Sequence, residues 1–540
     1  MNQTAPKTLS ETSLHSAQPH SRTLQSYFEH IAPEIDQWHQ RNRFYYRDLE
    51  TLHQFLIPAG RTVLEVGCGT GKLLAALRPE LGVGIDFAPK MIEIAKSRYD
   101  DTAPNLHFFN LNAETFTPED LLHGLATDDP DALTDQSGNP QGDVTSNSDH
   151  DKFGATSHKK SQTFQSKFDF IVLSGVMGYL GNIQQVLEQL HQFCHPHTRL
   201  IFAFHNHGWE DILHLAERFG QRCPQLVQNW VSMTDVLNLL TISGYTTVKT
   251  GRRFLAPKNF PGLSFLINRY LAHLPLINRL CLTQYVVARP APETIPDASV
   301  TVVIPARNEA GNIQPAIERL PLLGSHTEVI FVEGHSKDDT WSEIQRVMAH
   351  YAANPKPNFS FQAWQQTGKG KADAVRLGFD KANGDILMIL DADLTVKPED
   401  LPQFARVMMR GRGEFVNGSR LVYPRSEAAM PWLNTLANQF FALMFSFLLG
   451  QTLKDTLCGT KVLWRTDYER IVENRSYFGD FDPFGDFDLL FGAAKLNLHI
   501  VEVPVRYEPR TYGESNIAHV REGLILLKMC LYAAQKIKFL

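Results

Sequence analysis

Two short constellations carry residue types that can do chemistry. In the first, Glu65 precedes the turn Gly67-Cys68-Gly69-Thr70-Gly71, and Asp86 ends the next apolar run, VGID. Glycines let the chain turn sharply and let a ligand approach bare backbone. Glu65 can accept, directly or through water, from an ammonium group, and Asp86 can accept from both hydroxyls of a ribose. The spacing is G-x-G-x-G and not the G-x-G-x-x-G of a pyrophosphate binder, which argues against a dinucleotide. The second constellation is Asp391-Ala392-Asp393, at the end of the apolar run ILMIL. Two carboxylates at a strand's end can grip a divalent cation, Mg2+ or Mn2+, and that cation can neutralise a diphosphate. Each pattern alone is common, so their neighbours decide.

Both need strands that end in loops. Upstream, TVLEVG, VGID, FDFIVLS and RLIFAF alternate with helical patterns, which implies a parallel sheet covered by helices. TTVKTGRR and CLTQYVVA read as a closing antiparallel pair, with the Pro-punctuated helical stretch 254–280 inserted between them. Downstream the alternation restarts with SVTVVIPA, EVIFVEG and ILMILDAD. The run ARPAPETIPDAS, with Pro290, Pro292 and Pro296 and no apolar period, separates the two halves. The fold class is therefore α/β with two domains, residues 26–289 and 299–540, joined by a linker at 290–298. A chain of 540 residues suits two cores. Residues 124–166 are rich in Asp, Ser, Thr, Gly, Asn and Gln and read as a disordered surface insertion.

The upstream half resembles the class I S-adenosylmethionine-dependent methyltransferases, which have a Rossmann-like fold, on the strength of Glu65, the glycine turn and Asp86. The resemblance implies that Asn112, Ala113 and Glu114 lie near the adenine and that residues 174–179 face the methyl group. Asn112 stands where that family usually has Asp, so its contact would use an amide oxygen. His205, Asn206 and His207, after the fifth strand, are either acceptor contacts or loop residues that satisfy local backbone. Methyl transfer from a sulfonium needs alignment and desolvation and no metal, because the leaving thioether is uncharged.

Around the second constellation the run VVIPARNEAGNI, with Pro305 and Glu309, resembles the opening of family 2 glycosyltransferases, enzymes of GT-A fold that use a nucleotide-diphosphate sugar. The turn after the next strand, Glu333-Gly334-His335-Ser336-Lys337-Asp338-Asp339-Thr340, resembles that family's acidic turn, with Glu333 in place of its first Asp. GKGKADAVRLGFDKANGD matches the helix before the metal motif, and Lys371 is the candidate diphosphate contact. NGSR with Ser419 and Arg420, DTLCGTKVLWR with Asp455, Gly459 and Lys461, and EVPVRYEPRTYGESN with Arg510, Gly513 and Ser515 are similar to the polyprenyl-phosphate transferases resembling dolichol-phosphate mannose synthase. Asn516 stands where those enzymes usually have Lys. The resemblance implies an inverting displacement, the metal at Asp391 and Asp393 holding the departing diphosphate. With a glycan hydroxyl as acceptor a base is needed, and Asp486 or Asp488 is available unless these are simply helix-start carboxylates. With a lipid phosphate none is needed, and Arg510 would position the anion.

The net charge of -6 gives no general basic footprint for nucleic acid. The six cysteines are scattered singly, without zinc or redox spacing, which fits a reduced cytoplasmic compartment. The polar start, residues 1–25, has no apolar core and reads as a disordered leader, not a secretion signal. The longest apolar run, 440–449, is about half of a membrane-spanning helix. The final helix candidate, 523–538, mixes Leu524, Leu527 and Leu531 with Lys528, Lys536 and Lys538, so it either packs within the protein or rests peripherally on anionic lipid. Two readings follow: a bifunctional transferase, or an active glycosyltransferase whose first half is a non-catalytic S-adenosylmethionine-binding docking module.

Overall fold

The computed structural model describes residues 17–128, 167–226, 228–291, 294–423, 432–475, 486–510, 512 and 519–539. Strands β1 (Thr62–Val66), β2 (Leu81–Asp86), β3 (Leu106–Asn110), β4 (Phe168–Ser174) and β5 (Cys194–His205) precede the pair β6 (Tyr245–Arg253) and β7 (Thr283–Pro290). The first sheet has the order β3-β2-β1-β4-β5-β7-β6. Its first five strands are parallel, and β6 and β7 run antiparallel from Tyr245 opposite Pro290 to Arg253 opposite Thr283.

The second sheet is built from β8 (Val300–Ala306), β9 (Thr327–Glu333), β10 (Phe359–Gln365), β11 (Ile386–Ile389), β12 (Phe415–Ser419), β13 (Lys461–Trp464) and β14 (Ile500–Pro504). Its order is β10-β9-β8-β11-β13-β12-β14, with β13 antiparallel to both its neighbours. Both sheets are mostly parallel, and the chain is a two-domain α/β protein, a methyltransferase-like Rossmann fold followed by a GT-A-like fold. By compactness it divides into Met1–Gly244 and Tyr245–Leu540.

The apolar runs make sense in three layers. In β11, Leu387 and Ile389 enter one hydrophobic cluster and Ile386 and Met388 the other, because successive side chains leave opposite faces. A strand covered on both faces must be apolar throughout, which is why ILMI has no polar alternation. β10 is an edge strand whose residues are half-buried, so its sequence FSFQAWQ carries a weaker signal.

Three segments differ from the composition reading. Helix Ala17–Ile31 begins inside the stretch read as a leader, and Leu24 is buried there. Helix Pro118–Asp128 covers the start of the expected insertion, whose remainder, 129–166, lies outside the described residues. The stretch 254–280 forms one helix, Leu263–Arg269, and two short turns, Leu271–His273 and Ile277–Leu280. All six cysteines are buried and none forms a disulfide. Among the described residues no helix is long and apolar enough to cross a membrane.

Candidate active sites

The first site forms where β1 ends. Gly67, Gly69 and Gly71 all have positive φ, of 74°, 52° and 74°, which side chains rarely adopt. A Cβ on Gly67 would lie 2.7 Å from Val176 and one on Gly71 2.5 Å from Phe108, so these two glycines pack against the protein itself. Gly69 meets nothing within 4 Å, which leaves its face open to a ligand. Asp86 accepts from the backbone amides of Gly69 (2.9 Å) and Ala88 (3.0 Å), which ties the ends of β1 and β2 together.

Glu65 is 3% exposed, and its Oε2 has no hydrogen-bond partner. Burial, opposed by the Leu74 amide and aided by the Asp86 charge, pushes its pKa up to about 8. Burial raises Asp86 as well, against the amides of Ala88 and Gly69. Among the described residues neither carboxyl has an ion-pair partner. Thr70 Oγ1 and Ser174 Oγ, on the glycine turn and at the end of β4, are likewise buried without a partner. Two buried acids without cations and a set of unfilled polar atoms suit a ligand that is itself cationic and rich in donors. S-adenosylmethionine, with its ammonium, sulfonium and ribose hydroxyls, fits that description.

Asn112 is exposed and its Oδ1 accepts from the Glu114 amide (2.9 Å). Glu114 in turn accepts from the Gly181 amide (2.6 Å), which joins the loop after β3 to the one after β4. Ala113 sits between them, half-buried. On the same unit Phe28 packs edge-on against Phe87, next to Asp86, and against Tyr179, with centroids 5.6 and 5.1 Å apart. His205 Nε2 lies 3.1 Å from the Tyr45 hydroxyl, and burial lowers its pKa to about 3, so the imidazole is neutral. Asn206 caps its own turn through Gly208, and His207 faces Glu210 at 3.3 Å on the surface. Tyr45 and Phe28 escape sequence reading because they belong to helices far from the motifs.

In the second site both carboxylates of the Asp391-Ala392-Asp393 motif are met by a cation. Lys371 Nζ lies 2.6 Å from Asp391, and Arg510 lies 2.7 Å from Asp393. Burial alone would raise Asp391, but Lys371 holds it below the usual carboxylate range. Asp393 is raised by burial and by the Asp391 charge; its Oδ1 also accepts from the Thr395 hydroxyl at 2.9 Å. Glu309 is buried beside Asn312 (2.7 Å) and 3.9 Å from Arg510, and burial together with Asp393 lifts it to about 7. Gly459 is required by closeness, since a Cβ there would lie 2.0 Å from Asp391 Oδ2.

Pro305 lies in β8 opposite Val332, one position before the strand's last residue. Glu333 ends β9 and accepts from the Ser336 amide (2.5 Å) and Gln365 (3.1 Å). Burial would raise Glu333, but these donors hold it below its usual value. Among the described residues no group of three His, Cys, Asp or Glu is placed to hold a metal. The paired Asp391 and Asp393 instead suit a hard cation that takes its remaining ligands from water and substrate phosphate.

Two expected site residues turn inward. Arg420 forks onto Asp455, Nε to Oδ2 at 2.7 Å and Nη2 to Oδ1 at 2.9 Å. Asp455 has 0% exposure, also accepts from Asn438 (2.8 Å), and is held at about 2, because Arg420 and these donors outweigh burial. Asp488, on helix Asp486–Lys495, is buried between Arg376 (3.1 Å) and Arg475 (3.0 Å). The Asp486 side chain and residues 513–518, with Gly513, Ser515 and Asn516, lie outside the described residues.

Residues 301–471 match the model of Glycosyl transferase family 2, and residues 37–250 match that of a Methyltransferase domain. The chain joins a methyltransferase domain to a family 2 glycosyltransferase domain. The glycosyltransferase domain is 26% identical over 224 residues to a dolichol-phosphate mannosyltransferase of Pyrococcus furiosus, covering 40% of this chain and 59% of that protein. It is 27% identical over 248 residues to glycosyltransferase AglD of Haloferax volcanii, covering 44% of this chain and 37% of that one. An undecaprenyl-phosphate 4-deoxy-4-formamido-L-arabinose transferase of Proteus mirabilis is 25% identical over 228 residues, covering 41% of this chain and 64% of that enzyme. The chain thus spans about three fifths or less of the first two relatives.

Among solved structures, a SAM-dependent methyltransferase of Thermotoga maritima covers 49% of this chain and 99% of its own, at 14% identity and a TM-score of 0.31. Glucosyl-3-phosphoglycerate synthase of Mycobacterium tuberculosis, with Mn2+ and UDP, covers 44% of this chain and 80% of its own, at 19% identity and a TM-score of 0.32.

Proposed function

We propose that the protein is a bifunctional transferase, moving a sugar from a nucleotide-diphosphate donor to a polyprenyl phosphate and a methyl group from S-adenosylmethionine to the glycan or its lipid carrier. The observation that carries the acceptor assignment is the placement of the charges around Asp393. Arg510 stands beside it, 2.7 Å from Asp393 and 3.9 Å from Glu309, and brings a cation to the place where an anionic acceptor would lie, whereas Asp488, the one base candidate with a described side chain, is committed to Arg376 and Arg475. A phosphate acceptor is already nucleophilic and asks for positioning, not for proton removal. The relatives named as dolichol-phosphate and undecaprenyl-phosphate transferases support the same reading.

Asp391 and Asp393 are the residues that would hold a divalent cation, which when bound supplies charge neutralisation to the departing diphosphate. Lys371 brings a further positive charge to the diphosphate, and Glu333, kept ionised, accepts from the nucleoside. In the methyltransferase domain Glu65 would hold the ammonium and Asp86 the ribose hydroxyls of S-adenosylmethionine, which supplies an electrophilic methyl. Phe28 and Tyr179 exclude water from that side of the pocket. Neutral His205, hydrogen-bonded to Tyr45, is a candidate contact for the methyl acceptor.

The test is incubation of the intact chain with polyprenyl phosphate and doubly labelled donors. The account requires a mild-acid-labile lipid-linked sugar and methyl label in the same lipid extract. Sugar in an acid-stable glycan alone would sink the phosphate acceptor. Sugar transfer with no methyl label, against every lipid and glycan fraction tried, would make the first domain a docking module.

A further inference from the structure

The stretch 254–280 is folded inside out. Its polar side chains point inward: Asn268 accepts from the amides of Leu255 and Ala256 (2.8 Å each) and donates to the Ala256 carbonyl. Ser264, fully buried, bonds the Lys258 carbonyl (2.6 Å) and the Phe260 amide (2.8 Å). Asn278 donates to the carbonyls of Arg252 and Ala272 (2.8 Å each). Apart from the buried Phe254, most of the large apolar side chains point outward. Phe260, Leu263, Leu266, Leu274, Leu276 and Leu280 are 60%, 57%, 54%, 49%, 78% and 62% exposed.

An exposed apolar surface this dense marks a binding face. Its charge says which kind. From Gly251 to Leu282 the sequence has no Asp or Glu and has Arg252, Arg253, Lys258, Arg269 and Arg279, in a chain whose net charge is -6. An irregular backbone can enter an apolar medium only if its own amides and carbonyls are satisfied internally, and the Asn268, Ser264 and Asn278 bonds do that. Its helix, Leu263–Arg269, has 7 residues and cannot span a bilayer, so the segment suits the boundary between headgroups and acyl chains.

We propose that residues 254–280 are a monotopic membrane anchor that seats its leucines and phenylalanines in an anionic lipid surface. The assignment differs from the one suggested by the final helix alone. There Leu526, Met529, Cys530 and Ala533 are buried in the glycosyltransferase core, and Leu524 and Leu531 remain exposed. The anchor abuts that region through Tyr270 and His273, whose rings lie 5.3 and 5.7 Å from Phe539. The inference does not depend on the acceptor of either active site.

The experiment is flotation of the full chain with phosphatidylcholine vesicles, with and without phosphatidylglycerol. Wild-type protein floats with the anionic vesicles, and added salt weakens it because the basic residues are screened. Leu266→Ser/Leu276→Ser/Leu280→Ser lowers vesicle binding by about tenfold or more, with the thermal transition unchanged. As a check free of packing effects, Leu276→Cys is labelled with a polarity-sensitive fluorophore, the native cysteines being buried; its emission shifts to the blue on adding anionic vesicles. Undiminished flotation of the triple variant, or an unshifted label, overturns the proposal. So does a wild-type dimer on gel filtration that the triple variant dissociates while neither floats, which would make a second copy the occupant.

Discussion

The two candidate donor sites sit at the ends of parallel strands, yet their electrostatics are opposite. In the glycosyltransferase domain Asp391 and Asp393 are paired with Lys371 and Arg510, and Asp455 and Asp488 with Arg420, Arg376 and Arg475. In the methyltransferase domain Glu65 and Asp86 are buried with backbone amides as partners, and both pKa values are raised. An anionic diphosphate needs cations held ready, and a cationic sulfonium needs acids left unneutralised. Each pocket therefore holds titratable groups suited to its proposed donor, Glu65 and Asp86 being acids that a bound cation would draw into the ionised form.

The comparison breaks most easily at Asp393. If Asp391 and Asp393 hold the cation, Asp393→Ala should lower sugar transfer by about a thousandfold or more, while affinity for the methyl donor stays within about twofold. Kinetics and equilibrium binding on one preparation check both, and loss of methyl-donor binding would mean that the sites are not independent. Next in size is Asp455→Ala, which strands the buried Arg420 guanidinium and should cost about 3–5 kcal/mol of stability by denaturant unfolding. A loss below about 1 kcal/mol would mean that Arg420 is free to serve the donor instead.

Glu65→Gln sharpens the other pocket. A carboxyl with a folded pKa of about 8, against the ordinary 4.5, is protonated in the fold where the unfolded chain is ionised. Its contribution to stability therefore falls as pH rises from 4.5 to 8 and is flat beyond, so the variant should be the more stable protein near neutrality. A cationic ligand favours the ionised form, so wild-type affinity for S-adenosylmethionine should rise with pH towards 8. The variant should lose that pH dependence and about tenfold in affinity. The smallest effect is expected at Asp488→Asn, about 1–2 kcal/mol of stability with kcat for a phosphate acceptor within a few fold. A kcat loss of about a hundredfold, with a changed pH profile, would return Asp488 to the role of base.

Much of this was legible because it is local. A glycine turn needs positive φ at fixed positions, and ILMILDAD announces a strand buried on both faces that ends in two carboxylates. Partners distant in the chain leave no such mark. Arg420 has the look of a substrate contact in NGSR, and nothing there reveals that Asp455 takes its whole fork. Asp488 resembles any helix-start acid until Arg376 and Arg475 close on it. The stretch 254–280 reads as an ordinary helical insertion, because sequence periodicity cannot tell that Asn268 and Ser264 face inward while the leucines face out. The helix Ala17–Ile31 was hidden for the converse reason, since a polar composition masked the few residues it buries.

The most direct test of the opposed charges is calorimetric titration of the intact chain with S-adenosylmethionine and with nucleoside diphosphates of each base, with Mn2+ or with chelator. The account predicts that the methyl donor binds equally in both conditions and that one nucleoside diphosphate binds only with the cation. Nucleotide binding that survives chelation unchanged, or a methyl donor that does not bind, would contradict it.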